Sequence, residues 1–193
     1  MLPVLSYDSV SCRSRDGITK MPYITWGNYS PDTTTCSFVV VHDFFDTCDG
    51  TSILFKPLVS RHPGCQVLCF NYPGQANTVW PRPPQVERER GAREPVLNND
   101  WIADYMHELL QEVDSAGDII LRGANFHLLG IGNGVCIAAA FLQKYGSHRL
   151  YRKALRSFVS VNGFLSPDPQ LAGILHSGES AHCVGVGCQF FLT

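Results

Sequence analysis

The stretch Gly130-Ile131-Gly132-Asn133-Gly134 is the part of this chain that comes nearest to a catalytic pattern. It follows the apolar run Phe126-His127-Leu128-Leu129 and precedes Val135-Cys136-Ile137-Ala138-Ala139-Ala140-Phe141-Leu142, so it reads as a sharp turn from a buried strand into a buried helix. A turn of the form G-x-S-x-G holds a serine hydroxyl at its tip, with small residues on both sides because the turn is so tight. Gly130 and Gly134 supply the two flanks, but the tip is Gly132, which carries nothing that a base could activate. A dinucleotide-binding loop fits no better, because its third glycine would fall at 135, where the chain has Val135.

Two other loops carry polar residues after apolar runs. His42-Asp43-Phe44 follows the run at 37–41, and Asn71-Tyr72-Pro73-Gly74-Gln75 follows the run at 65–70. His42 and Asp43 could be read as base and acid, yet adjacent residues at a strand end point in different directions. His42 is therefore expected to make a structural hydrogen bond that orients its loop. Ser160 and Cys136 could serve as displaced nucleophiles, but one falls inside a predicted strand and the other inside a buried helix, so both are expected to be packing residues. His176 ends a predicted helix at 167–175 and His182 lies in a glycine-rich tail; neither is placed as a general base.

The elements that would position these loops alternate. Residues 6–13 and 18–26 predict a hairpin joined at Asp16-Gly17, and residues 53–60 predict a helix stopped by His62-Pro63-Gly64. Asn98 or Asn99 offers a cap for a helix in which Trp101, Ile102, Tyr105, Met106, Leu109, Leu110 and Val113 recur at helical spacing. A helix from 133 to 145 is closed by the C-cap glycine Gly146, and residues 155–161 form the last predicted strand. Between these lies a proline- and charge-rich surface excursion at 78–96. The pattern implies an α/β fold: a mainly parallel sheet with helices on both faces and an N-terminal β-hairpin. A single domain is expected over 1–176, with an atypical tail at 177–193. If 155–161 is the last strand, its apolar edge needs a cover, either this tail or another chain, which makes a homo-oligomer through that edge an expectation.

Bulk properties exclude several classes. A net charge of −2 with scattered basic residues argues against nucleic acid, and no apolar run is long enough for a membrane span. The N-terminus lacks the pattern of a secretory signal, so a cytoplasmic location is expected and the eight cysteines read as reduced, mostly buried thiols. The spacing of Cys183 and Cys188 does not match a zinc site, and no metal or cofactor is expected.

Taken in order, the His42-Asp43 loop, the Pro73-Gly74-Gln75 turn and the Gly130–Gly134 turn resemble the α/β-hydrolase superfamily over roughly residues 20 to 175. That resemblance implies that Gly132 stands where the family has its nucleophile, and that the backbone amides of Phe44 and Asn133 stand where its oxyanion-hole donors lie. The same three loops, with residues 102–106, are similar to the N-myc downstream-regulated (NDR) branch, whose members are regarded as non-catalytic. Against that branch, Asn71 stands where an Asp is usual, the proline-rich excursion is longer, and the resemblance implies a C-terminal end truncated by about a third. The resemblance implies a binding or scaffold module whose cleft takes a protein partner or a small apolar ligand. The alternatives are a truncated or diverged serine hydrolase and an enzyme with an unrecognised active site.

Overall fold

The apolar runs at 37–41, 65–70, 126–129 and 155–161 all become strands, and they pair with one another in parallel. The computed structural model describes residues 5–14, 17–27, 34–76, 78, 98–119, 121, 125–163 and 182–186. Its strands are β1 (Leu5–Ser14), β2 (Gly17–Trp26), β3 (Cys36–Val41), β4 (Cys65–Phe70), β5 (Asn125–Ile131), β6 (Leu155–Val161) and β7 (His182–Val186). They form one sheet in the order β1-β2-β4-β3-β5-β6-β7. The hairpin β1–β2 is antiparallel and adds to β4 antiparallel, with Tyr23 opposite Phe70. Its connecting residues 15 and 16, including the Asp16 of the expected turn, lie outside the described residues.

From β3 the chain first moves to β4 on one side and then returns to β5 on the other. In open parallel sheets such a reversal marks where ligands bind, at the carboxyl ends of the strands on either side, here β3 and β5. The loops carrying His42-Asp43 and Gly132-Asn133 are the two at these ends.

The helices are α1 (Cys48–Ile53), α2 (Lys56–Arg61), α3 (Asn99–Ala116) and α4 (Gly134–Tyr145). On α3 the side chain of Asn98 accepts from the Trp101 N–H, and Gly117 ends the helix in the left-handed region at φ 86°. Its apolar stripe, with Val135, Ile137 and Phe141 of α4, packs on Val39, Val41, Leu68, Phe126 and Leu128. The alternate residues Val40, Val67 and Cys69 face the opposite side, where Cys48 and Val59 of α1 and α2 cover them. The period of two along β3 therefore explains why both of its faces are apolar.

Two expectations need correction. The helix expected at 53–60 is two short helices. Thr47 starts the first one earlier by accepting from the Gly50 N–H, and Pro57, which has no N–H to donate, sits in the first turn of the second. Gly146 does end α4, but as a right-handed residue at φ −56° rather than as a left-handed cap. Of the two covers expected for the edge at 155–161, the structure has the tail: β6 pairs in parallel with β7, which lies inside the segment 177–193. The excursion beyond Thr78 and the helix expected at 167–175 lie outside the described residues, as does His176.

Candidate functional site

The turn after β5 has the backbone of an elbow. Gly132 sits at φ 56°, its N–H donates to the Val161 carbonyl at 2.9 Å, and its carbonyl accepts from the Val135 N–H at 3.2 Å. At Gly130 a Cβ would stand 2.6 Å from the Val135 Cα, and at Gly134 it would stand 2.6 Å from the His42 carbonyl oxygen. Both flanking positions therefore need glycine because α4 starts hard against β5 and the end of β3.

The Phe44 and Asn133 amides both donate to a carboxylate of this chain. Asp43 Oδ1 accepts from the Phe44 N–H at 2.7 Å, from the Asn133 N–H at 3.1 Å and from Asn133 Nδ2 at 3.0 Å. The carboxylate thus lies at the amino end of α4, which has no acidic residue in its own first turn, and its charge faces the positive end of the helix dipole. A Cβ on Gly132 would collide with this same carboxylate. The small tip residue and the inserted acid belong to one arrangement, in which Asp43 occupies the space above the elbow.

His42 points the other way, as adjacent strand-end residues do. It is fully buried, with Nδ1 donating to the Asp43 carbonyl at 2.7 Å and its ring stacked on Tyr72 at 4.9 Å. Nε2 faces Asn71 Oδ1 at 3.2 Å, and that oxygen also accepts from the Cys48 N–H at 2.7 Å. A neutral imidazole has only one N–H, so it cannot donate to both oxygens. Burial pushes the His42 pKa down, against the upward pull of the Asp43 carbonyl and of Asn71. With the shorter bond taking the proton, a lone pair of Nε2 is left facing Asn71 Oδ1, and Asn71 Nδ2 is buried without a hydrogen-bond partner among the described residues. Changing Asn71→Asp supplies a carboxylate beside Nε2 and is expected to raise the His42 pKa by about 1 to 3 pH units. Ring-proton NMR titration checks this, and an unmoved titration contradicts the placement.

The second loop braces the first. Gln75 Nε2 donates to the Phe44 carbonyl at 2.7 Å, and Thr78 Oγ1 donates to the Tyr72 carbonyl at 2.8 Å. Phe44 stands edge-on to Tyr72, with centroids 5.7 Å apart. Ser160 is buried within β6 opposite Gly130, and Cys136 is half-buried in α4 with its thiol pKa pushed up by burial. Neither lies at the tip of the turn. His182 falls on β7, at the register position of Ser157 near the start of β6, away from the carboxyl ends where the elbow lies.

Sequence reasoning missed Asn71 as the link between β4, α1 and His42. It also missed that Asp43 fills the amide pair. An acid placed directly before one of those amides was the available signal for the second.

This fold recurs in solved structures. Over 91% of the chain it matches a protein named as a hydrolase from Agrobacterium vitis S4, with TM-score 0.59 and 11% identity, and it spans 62% of that protein. The fold is that of the α/β-hydrolases. A protein named as a CIB-like hydrolase from Thermoplasma acidophilum matches over 94% of this chain and 73% of its own, again with TM-score 0.59 and 11% identity. An epoxide hydrolase mutant of Vigna radiata matches over 86% and 41%, with TM-score 0.56 and 12% identity. No protein-family model and no curated protein sequence matches the chain. At such identities the likeness establishes the hydrolase fold alone. No described helix is long and apolar enough to cross a membrane.

Proposed function

We propose that this chain is a non-catalytic α/β-hydrolase-fold protein that acts as a binding or scaffold module, and that it stands nearest the NDR branch. The observation that carries this reading is the position of the Asp43 carboxylate. In a hydrolase of this fold the amide pair must be free to hold a developing oxyanion, and removal of one such donor costs about 3 to 4 kcal/mol of transition-state stabilisation. Here a fixed negative charge holds both donors, with a third from Asn133 Nδ2. A substrate carbonyl would have to displace a carboxylate bound by charge-assisted hydrogen bonds, at a place where Gly132 offers no nucleophile. His42, beside Asp43 in the same loop, is buried and held between the Asp43 carbonyl and Asn71 Oδ1.

The branch assignment rests on His42-Asp43, Pro73-Gly74-Gln75, residues 102–106 and the Gly130–Gly134 turn; Asn71 and the longer proline-rich excursion are among its departures. A second reading, a diverged serine hydrolase, is favoured by the names of the structural neighbours, of which the chain spans 41 to 73% in the three cases above. Purified protein is expected to cleave short-chain activated esters no faster than a heat-denatured control, and Gly132→Ser is expected to stay equally inactive because His42 is buried and held by the Asp43 carbonyl and Asn71 rather than facing the new hydroxyl. Turnover that tracks folded protein and is quenched by a serine-directed phosphonate would establish the second reading instead.

A further inference from the structure

At the other end of the central strands, away from the elbow, β3 and β4 both begin with a cysteine. Cys36 and Cys65 occupy opposite positions in the parallel register, and their sulfur atoms lie 2.7 Å apart as free thiols. The backbone around them is already fixed: the N–H groups of Thr35 and Cys36 both donate to the Gly64 carbonyl, at 2.8 and 3.3 Å, and the Cys65 N–H donates to the His62 carbonyl at 2.9 Å. Neighbouring strands run about 4.8 Å apart, inside the Cα separation of about 4.4 to 6.8 Å that a disulfide spans. The two thiols also differ in access. Cys36 is half-buried while Cys65 is 8% exposed, and Cys12, Cys48 and Cys69 are fully buried.

We propose that Cys36 and Cys65 are a reversible redox-modification site that closes a disulfide between β3 and β4 when the protein meets a peroxide. The Cys36 thiolate attacks one peroxide oxygen, the O–O bond breaks, and a sulfenic acid and one water are formed. The Cys65 sulfur then attacks the Cys36 sulfur and displaces hydroxide, which leaves as a second water with the Cys65 proton. Two thiols and one hydrogen peroxide give one disulfide and two waters. Burial, with the neighbouring Cys36 thiol adding to it, pushes the Cys65 pKa up to about 12, which disfavours Cys65 as the first nucleophile. The bond ties the sheet across the segment 37–64 and leaves the Asp43 and Gly132 arrangement untouched, so it acts on stability and not on the cleft.

The full chain, reduced and freed of thiol, is treated with hydrogen peroxide, alkylated and mapped by mass spectrometry without reduction. The expected product has lost two hydrogens, carries a Cys36–Cys65 link in its peptides, reverts with dithiothreitol, and melts several degrees higher than the reduced protein. Cys36→Ser is expected to abolish both the link and the rise in Tm, and Cys48→Ser to leave both in place. Recovery of Cys36 and Cys65 as alkylated thiols, their over-oxidation without a link, or linkage of either to another cysteine overturns the proposal. The wild-type map decides it even where a variant fails to fold.

Discussion

Gly132→Ala is expected to lower the free energy of unfolding by about 2 to 3 kcal/mol. Roughly 1 kcal/mol of this is the ordinary penalty for a side chain at positive φ, which applies because Gly132 sits at φ 56°. The rest comes from Asp43, whose carboxylate a Cβ would strike and push away from its donors. Each hydrogen bond to a charged group contributes about 1.5 to 3 kcal/mol when buried, and less here because Asn133 is exposed. Urea unfolding with an unchanged m-value measures the effect. A neutral or stabilising result would mean that the turn has slack which the structure does not show.

Asp43→Ala is expected to cost about 2 kcal/mol on the same reasoning. The substitution leaves the Phe44 and Asn133 amides without their acceptor and takes a negative charge away from the amino end of α4. Asp43→Asn keeps an acceptor oxygen of the same shape and is expected to cost about half as much. This ordering separates an acceptor seated on the amides from a carboxylate that merely sits on the surface, for which both changes would be near neutral. Chemical denaturation of the two variants side by side reads it directly.

The legible part of this fold is the part whose signal is local. β3 and β4 are short apolar runs bounded by turn residues, and α3 announces itself through Asn98 and its apolar spacing, so each could be placed without knowing its neighbours. The break between α1 and α2 was hidden because Ile53, Leu54, Phe55, Leu58 and Val59 keep an apolar rhythm across it; only Pro57 pointed to the interruption. β7 was hard to see because His182–Val186 has a weak strand pattern of its own and gains its partners from β6. At the site, the glycines and the two amides were readable from spacing around the turn. The destination of the Asp43 side chain was not, because it depends on how closely the end of β3 approaches the start of α4, which is a matter of tertiary packing. The competition for the His42 proton was equally out of reach, since Asn71 comes from a different strand end.

The central claim is that the chain's own carboxylate fills the space above the elbow and that Gly132 is small for that reason. A double-mutant cycle between Asp43→Ala and Gly132→Ala tests it most directly, because the coupling energy isolates the contact between the two positions. The expected result is that Gly132→Ala costs about 2 to 3 kcal/mol in the parent chain but only about 1 kcal/mol once Asp43 is alanine, the residue of the backbone penalty alone. Equal costs in the two backgrounds would contradict the account, since they would mean that Asp43 and the tip of the turn do not meet.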